Sequence, residues 1–257
     1  MNRRTFLKSV PALSMFASAN TGFADDANEA TVANQQPVPQ AEGIIKLNPP
    51  DLNKGISLMQ ALKKRKTNRD ISDKKLTLQQ LSDLLWAADG VNRPDGKRTA
   101  PAAKAVYSVN IYVVLPEAVY LYDVAKHQLT PVAKGDFRKS TGAQDFIYIA
   151  PVNLVYVLNA KSPKDSFVPN SRDKYVEVGC LAQNVYLYCA SQGLAATARG
   201  GVDQKKFSEV IKAKPEQIAL AQTIRISEIK LGWALIYRIA GNVLVLARMG
   251  LHYELFK

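Results

Sequence analysis

The stretch SRDKYVEVGCLAQNVYLYCASQGLAATARGGVD, Ser171 to Asp203, decides the fold class. From about Asp173 its apolar residues recur at helical spacing, and Gly193 has the permissive backbone that commonly ends a helix. LAATA then predicts a short strand, ARGGVD a glycine turn, and Asp203 the N-cap of a further helix. A long helix that leads into a strand and then into another helix indicates a chain that mixes both element types.

Outward from this stretch, helices and strands remain interspersed. VNIYVVL, VNLVYVLN and EQIALAQTI predict strands, and AVYLYDVAKHQLTPVA predicts a hairpin. Helices are predicted in TLQQLSDLLWAADG, where Thr77 and Gln80 can form a capping box, in DFRKSTGAQDFIYIA, and in GISLMQALKKRK. The apolar face of that last helix consists of Ile56, Met59 and Leu62. We therefore predict an α+β domain, a mixed sheet flanked by helices, over residues 51–224.

The chain opens with MNRRTFLK, a pair of arginines followed by a weakly apolar run and then small residues. This order is typical of a twin-arginine export signal, so we predict a signal peptide at 1–24, cut after ASA or GFA, and a periplasmic protein. The alternative is a disordered N-terminus with chance arginines. The apolar run is far shorter than the ~20 residues that cross a bilayer, so we expect no stable membrane span. Residues 25–50 are polar and contain prolines, and predict a linker or extended arm.

The charge balance is strongly basic. The full chain carries +12, and removal of residues 1–24 takes away Arg3, Arg4 and Lys8 and no acid, which leaves +9. Such a surface can attract nucleic acid, anionic lipid or an anionic cofactor. Since no nucleic-acid motif is present and aromatic residues are not interleaved with the basic runs, we expect no nucleic-acid partner.

Cysteine and histidine are scarce. Cys180 and Cys189 fall in one predicted helix, nine residues apart, which separates them by about 13 Å along the axis. That distance rules out a disulfide between them. Because His127 and His252 are the only histidines in the sequence, few ligands are available for a metal, and we predict none.

The segment KRKTNRDI, Lys64 to Ile71, gathers cations at the end of the first predicted helix. Arg65, Lys66 and Arg69 surround the hydroxyl of Thr67. Guanidinium groups match phosphate oxygens, and a threonine hydroxyl adds a neutral donor. The alternative is a solvated basic helix end, where cations already favour the helix dipole.

Six segments in order carry a family resemblance. They are KRKTNRDI, LSDLLWAADGVNR, RTAPAAKAVYSVNIYVV, VYLYD…HQL, GAQDF…AP and VGCLAQNVYLYCASQGLAATARGGVD. Together they resemble the nitroreductase family, and most closely its branch that includes the SagB-type dehydrogenases of peptide maturation. The resemblance covers Leu58 to about Ile224, about two-thirds of the chain.

The resemblance implies an α+β fold, a two-fold homodimer, and FMN held at the subunit interface. Members of the family pass hydride to and from the flavin, so a ping-pong reaction with a small-molecule electron donor and acceptor is implied, usually with NAD(P)H as the donor. We expect the Asp173–Gln192 helix to be buried at the two-fold axis, since apolar residues surround much of its circumference. No catalytic acid or base is required, because the flavin carries the chemistry. The alternative is an exported, non-catalytic flavin-binding or docking subunit of a larger assembly.

The resemblance also implies residue roles. Arg65, Thr67 and Arg69 match the family's phosphate motif, with Lys66 beside them. The family turn that lies on the flavin ring of the partner subunit is Pro101, Ala102 and Ala103 here; its serine is missing, and Ala105 stands where Asn often follows. Gln144 matches a pyrimidine-side contact, and Gly200 and Gly201 match a turn that lets backbone approach the flavin. A cofactor loaded in the cytoplasm would explain a signal for the export of folded protein.

The end of the chain departs from the family. The resemblance stops at Ile224, and the remaining 225–257 form an atypical tail. It is interpreted as an extension that wraps the partner, as a membrane anchor, or as a translated frameshift. Arg238, Asn242 and Arg248 disfavour the anchor, since each central arginine costs about 2.5–3.5 kcal/mol on insertion. The abruptness of the change favours the frameshift.

Overall fold

The computed structural model describes Val38 and residues 43–69, 72–159 and 170–227, together with the backbone of two strands at 233–240 and 243–251. The predicted signal peptide, most of the predicted linker and the side chains of the tail from 228 lie outside the described residues. The helices are α1 (Leu58–Lys64), α2 (Leu78–Asp89), α3 (Asp145–Ile149), α4 (Ser171–Gln192) and α5 (Gln204–Ile211). Short 3-10 turns occur at Ala103–Ala105, Arg138–Thr141 and Pro215–Gln217. The strands are β1 (Ile45–Lys46), β2 (Val109–Val114), β3 (Ala118–Asp123), β4 (Gln128–Lys134), β5 (Val152–Leu158), β6 (Leu194–Arg199), β7 (Ile218–Ile226), β8 (Trp233–Ala240) and β9 (Val243–Leu251).

Seven strands form one sheet in the order β1-β4-β3-β2-β5-β7-β6, and each of its strand pairs is antiparallel. A parallel contact is added at the outer edge, where Thr67 bridges to Ala196 on β6. The strands β8 and β9 form a separate two-stranded sheet. The predicted class, an α+β domain with a sheet flanked by helices, is confirmed.

Different helices cover the two faces of the sheet. Leu154 of β5 packs in one core with Leu84 of α2 and Leu181 of α4. The next residue, Val155, points to the opposite face, where it packs with Phe207 of α5. This alternation is the normal consequence of the strand repeat. Since both faces are covered, β5 is buried along its whole length and is apolar except for Asn153.

Three predicted helix ends are confirmed, whereas one predicted helix is not continuous. Thr77 and Gln80 form the predicted capping box, Asp203 caps α5, and Gly193 ends α4 with a left-handed φ of 68°. The prediction of one helix across 136–150 is wrong. The chain there forms the Arg138–Thr141 turn and then the five-residue α3, and the break between them lies at Gly142.

The sheet begins earlier than the sequence indicated. β1 pairs with β4, and Val38, Ile45 and Leu47 are buried in the main core. His127, in the turn before β4, fastens this segment: its backbone oxygen accepts from the Leu47 N–H at 3.1 Å, and its Nε2 lies 2.9 Å from the Asn48 carbonyl oxygen. Part of the predicted 25–50 arm therefore packs against the sheet.

The strand β7 passes the point where the family resemblance ends. Arg225 pairs with Ala195, and Ile226 pairs with Leu194, in the β6–β7 ladder. The Arg225 side chain is fully buried, and its guanidinium donates to the backbone oxygen of Asn68. The strand β7 thus continues two residues past the end of the family resemblance. The origin of the rest of the tail stays a prediction, because its side chains lie outside the described residues.

Two helices present apolar side chains that the described chain leaves exposed. On α1, Leu58, Met59 and Leu62 are 63%, 73% and 45% exposed, so the predicted apolar face is present but uncovered. On α4, Val176 is 61% exposed, whereas other apolar residues of this helix are buried, namely Val178, Leu181 and Val185. The described residues therefore cover only part of the circumference of α4. Among the described residues, no helix has both the length and the apolar character needed to cross a membrane.

Candidate cofactor site

The basic segment leaves the end of α1 in an extended conformation. Arg65 caps α1, with its N–H bonded to the Ala61 oxygen at 2.8 Å. Thr67 then bridges to Ala196, and the Asn68 N–H donates to the Ala196 oxygen at 3.2 Å. The segment therefore extends the sheet beyond β6, and successive side chains leave it on opposite sides.

Tyr186 of α4 brings two of the predicted phosphate ligands together. Its hydroxyl lies 3.2 Å from Thr67 Oγ1 and accepts from the Ala198 N–H at 2.7 Å. The Arg65 guanidinium lies over the tyrosine ring, 5.3 Å from its centroid, which is a cation–π distance. Since the phenol oxygen accepts from backbone, its proton can point to Thr67, whose own proton is then available to an anion. Arg69 is exposed two residues further along the segment.

A cleft of about 530 Å³ opens beside this segment, between the end of α1, the last turns of α4 and the start of β6. Lys66 and Asn68 line it, together with Lys63 and Lys64. The other three predicted phosphate ligands do not line this cleft. The alternation of an extended chain accounts for this division, because Lys66 leaves the segment on the side opposite Thr67. Tyr186, which contacts Arg65 and Thr67, also lines the cleft, so the cleft lies next to these predicted phosphate ligands.

A patch of buried polar side chains underlies the basic segment. It occupies one face of three neighbouring strands and consists of Asn153 on β5, Thr197 and Arg199 on β6, and Thr223 and Arg225 on β7. Thr197 and Arg225 both donate to the backbone oxygen of Asn68. The basic segment is therefore tied to this buried polar patch through its main chain, which leaves its cationic side chains outside.

Arg199 connects the patch to a second predicted group. The residue is 8% exposed, and its Nη1 donates to the Thr141 backbone oxygen at 2.5 Å. Its Nε donates to Thr223 Oγ1 at 3.1 Å, and its Nη2 to Asn153 Oδ1 at 3.3 Å. Burial lowers the pKa of the guanidinium to about 10, so Arg199 remains charged at neutral pH. Its bond to Thr141 fixes the start of the 142–144 loop against the sheet.

Gly142 explains both the broken helix and the approach of two loops. A Cβ at this position would collide with the Arg199 guanidinium and would lie 3.1 Å from the Gly201 carbonyl oxygen. Such close passage of backbone admits only glycine. Gln144, which is exposed, comes two residues after this approach of the loop to the glycine pair that follows β6.

Gly200 and Gly201 have no such internal reason to be glycine. A Cβ on either would meet no atom within 4 Å, and neither has a positive φ. Both are exposed. Their bare backbone is thus open to a molecule approaching from outside the described chain. Three predicted groups, the basic segment, Gln144 and the glycine pair, converge around the buried polar patch.

The Pro101–Ala103 turn is held elsewhere, by two buried carboxylates. At one end of its loop, Arg98 Nη1 lies 2.6 Å from Asp89 Oδ2 at the end of α2. At the other end, the Ser108 N–H and hydroxyl donate to Glu177 near the start of α4. Burial raises the pKa of Asp89 to about 7, against the opposing effect of Arg98, and it also raises the pKa of Glu177.

The turn and the basic segment are anchored at different positions along α4. Glu177 and Tyr186 are nine residues apart on α4, which corresponds to about 13 Å along the helix. The turn is anchored at the first of these residues and the basic segment at the second. After the turn, Lys104 and Ala105 have φ of 49° and 55°. Two successive non-glycine residues in the left-handed region carry a cost of about 1–2 kcal/mol each, which is typical of a constrained functional loop.

Metal ligands do not gather in the part of the chain that the structure describes. No group of three or more His, Cys, Asp or Glu side chains is placed to hold a metal ion there. Cys180 is half-buried, Cys189 is buried, and both are free thiols.

Comparison with known proteins identifies the family. The model of the Nitroreductase family matches residues 62–224. The chain belongs to this family. A protein of Methanocaldococcus jannaschii named "Putative nitroreductase MJ1384" is 32% identical over 182 residues, which cover 66% of this chain and 91% of that protein. The sequence resemblance to nitroreductases is thereby confirmed at the level of the family.

Solved structures agree with this assignment. A crystal structure of a "putative nitroreductase" from Ralstonia eutropha JMP134 has a TM-score of 0.67 and 38% identity, and the match covers 76% of this chain and 95% of that one. The E. coli Microcin synthetase McbBCD complex contains a chain with a TM-score of 0.53 at 20% identity, covering 83% of this chain and 85% of that one. The second likeness is one of fold alone.

The sequence analysis did not find the buried polar patch. Thr197 and Arg199 on β6, and Thr223 and Arg225 on β7, are polar residues two positions apart, a pattern that also fits an exposed strand face. Asn153 is a single polar residue in a buried strand. The available signal was that polar residues recur with period two in both β6 and β7, the two strands that flank the glycine turn.

Proposed function

We propose that this nitroreductase-family chain is an FMN-dependent oxidoreductase of the SagB-like type that transfers hydride by a ping-pong reaction between two small organic molecules. The observation that carries the proposal is the convergence of the basic segment, Gln144 and the Gly200–Gly201 turn on one buried polar patch. The residues fit FMN in three respects: an arginine-rich segment suits a phosphate, bare glycine backbone suits a flat ring, and a buried arginine suits an anion.

The proposed binding roles follow from the chain's own geometry. Arg65, Thr67 and Arg69 hold the phosphate, with Thr67 oriented by Tyr186. Lys66, which lines the neighbouring cleft, contributes long-range charge rather than a direct contact. Strand β6 runs from Ala196, beside Thr67, to the glycine turn, about 13 Å away at 3.3 Å per residue.

At the far end of β6, the Gly200–Gly201 backbone and Gln144 receive the flavin ring. When bound, FMN supplies the hydride chemistry, and the chain's residues bind it, orient it and exclude water. The observed convergence of these groups at the end of β6 supports this placement of the ring.

The proposal includes a homodimer. The family resemblance assigns the Pro101, Ala102 and Ala103 turn to the flavin ring of the partner subunit, so we assign it to the site of a second copy. The exposed apolar side chains on α1 and Val176 on α4 support a further subunit, since large uncovered apolar patches mark interaction surfaces. Light scattering on the flavin-loaded protein is expected to give twice the chain mass; a fully loaded monomer would contradict the dimer.

Export of the folded, loaded protein to the periplasm also belongs to the proposal. It rests on MNRRTFLK and on the need to insert FMN before translocation. Replacing Arg3 and Arg4 by lysine is expected to leave flavin-bound precursor in the cytoplasm. Normal processing and export of that double variant would contradict the twin-arginine route.

The function is tested with purified mature protein. We expect a yellow protein with one FMN per subunit whose flavin absorbance is bleached by dithionite and by a reduced organic donor. Reoxidation by a panel of quinones, nitroarenes and thiazoline-type peptides then identifies the acceptor class, and thiazoline activity would support the SagB-like branch. Colourless protein that cannot be reconstituted with FMN would refute the proposal and favour a docking subunit.

A further inference from the structure

Arg199 is a buried cation whose hydrogen-bond partners are all neutral. They are the Thr141 backbone oxygen, the Asn153 amide oxygen and the Thr223 hydroxyl. Desolvation is the cause that shifts its pKa, with no contribution from a carboxylate in the described residues. The charge of Arg199 is therefore hydrogen-bonded but is not neutralised by its surroundings.

Two partly exposed arginines of the described chain pair with carboxylates, whereas the fully buried Arg225 lies over the Phe146 ring and donates to the Asn68 backbone oxygen. Arg98 pairs with Asp89 at 2.6 Å, and Arg138 pairs with Asp136 at 2.6 Å. A charge that is removed from water without a countercharge costs several kcal/mol, and proteins retain such a charge where an anion can be met. Arg199 contacts no carboxylate among the described residues, so an anion bound at this site can supply its countercharge.

The position of Arg199 indicates which end of the proposed FMN site it can serve. Its guanidinium lies directly under the backbone of Gly142, beside the Gly201 oxygen, and it is the residue that precedes Gly200. This is the end of β6 remote from Thr67. Arg199 is therefore placed at the ring end of the proposed FMN site rather than at the phosphate.

We propose that Arg199 raises the redox potential of the bound FMN by stabilising the negative charge that the flavin gains on reduction. A hydride carries two electrons and one proton, so its transfer from a reduced organic donor changes the flavin's net charge by −1 and leaves the donor oxidised. A fixed cation in a dry site favours the reduced form because its interaction with that charge is weakly screened. The inference rests on the proposed function and adds the residue that sets how readily this site accepts hydride.

The experiment measures the midpoint potential of the FMN-loaded protein by anaerobic dithionite titration against a reference dye. Arg199→Met removes the charge, and Arg199→Lys retains it. Asn153→Asp keeps the arginine but places a carboxylate beside its Nη2, so it neutralises the charge even if the methionine variant does not fold. Arg138→Met is the matched control, because it removes an arginine from a solvent-screened ion pair.

Arg199→Met and Asn153→Asp are each expected to weaken the preference for reduced over oxidised FMN roughly 10- to 100-fold, which lowers the two-electron potential by about 30–60 mV. Arg199→Lys is expected to keep most of the wild-type potential, and Arg138→Met all of it. Unchanged potentials in the first two variants, or an equal fall in the lysine variant, would overturn the inference while leaving FMN binding intact. A wild-type protein that holds no FMN would instead overturn the proposed function and this inference with it.

Discussion

Adding one methyl group to either of two glycines is expected to distinguish a role in folding from a role in cofactor binding. Gly142→Ala places a Cβ against the Arg199 guanidinium and 3.1 Å from the Gly201 oxygen, whereas Gly200→Ala places one in open space. Overpacking of the first kind costs about 1–3 kcal/mol. The second substitution is expected to stabilise the apoprotein by about 0.4–1 kcal/mol, because alanine restricts the unfolded chain.

Gly200→Ala is expected to weaken FMN binding although it stabilises the apoprotein. Since Gly200 offers bare backbone where the flavin ring is proposed to approach, its added methyl should weaken FMN binding at least tenfold, which is about 1.4 kcal/mol. Urea unfolding of the apoproteins gives the stabilities, and quenching of FMN fluorescence gives the affinities. The reasoning fails if Gly200→Ala binds FMN as tightly as the wild type, or if Gly142→Ala leaves the urea midpoint unchanged.

Three further outcomes test the structure around the site. A chain ended after Ser227 should keep the stability of the β6–β7 ladder, whereas one ended after Ile224 loses the buried Arg225 and should unfold at clearly lower urea; equal midpoints would show that Arg225 is dispensable. Burial raises the pKa of Asp89 to about 7, above its unfolded value of 3.8, so its contribution is complete below pH 4 and is lost as pH rises through 7. Asp89→Asn should therefore remove a fall in stability of up to about 1.4 kcal/mol per pH unit, and an unchanged pH profile would contradict this. Burial lowers the pKa of His127, so the contribution of its neutral ring is present above pH 6.5 and is lost as pH falls through the lowered value. Amide exchange in β1, corrected for intrinsic rates, should accelerate at pH 5 relative to pH 7, and equal corrected rates would refute the role of the ring.

The elements that the sequence predicted well are those whose signals are local. Gly193 ends α4 by its left-handed conformation, and Thr77 starts α2 by its capping box, and both need only neighbouring residues. The break at Gly142 depends on Arg199, which is 57 positions away in the chain, so helical periodicity could not reveal it. The strand β1 was missed for a related reason: its two residues carry no period, and only pairing with β4 defines them.

The candidate site also contains features with a local sequence signal and features that depend on distant parts of the chain. Residue types suggested Arg65, Lys66, Thr67 and Arg69 as one group, but adjacency in sequence does not reveal which side of an extended segment a residue occupies, and their roles toward FMN stay predictions. The burial of Arg199 and Arg225 is a property of the assembled sheet. Polar residues that alternate along a strand predict solvent exposure unless a covering element is known, and here the covering elements are loops from distant parts of the chain.

Titration of the apoprotein with FMN and with riboflavin is the most direct test of phosphate binding by the basic segment, since the two ligands differ only by the phosphate. The wild type is expected to bind FMN much more tightly than riboflavin. Arg69→Ala should weaken FMN binding roughly 10- to 150-fold, the equivalent of one charged hydrogen bond of about 1.5–3 kcal/mol, and should barely change riboflavin binding. Lys66→Ala is the matched control and should have the smaller effect on FMN. Equal affinity of the wild type for both ligands, or an equal loss for both in Arg69→Ala, would contradict the assignment of this segment to the phosphate.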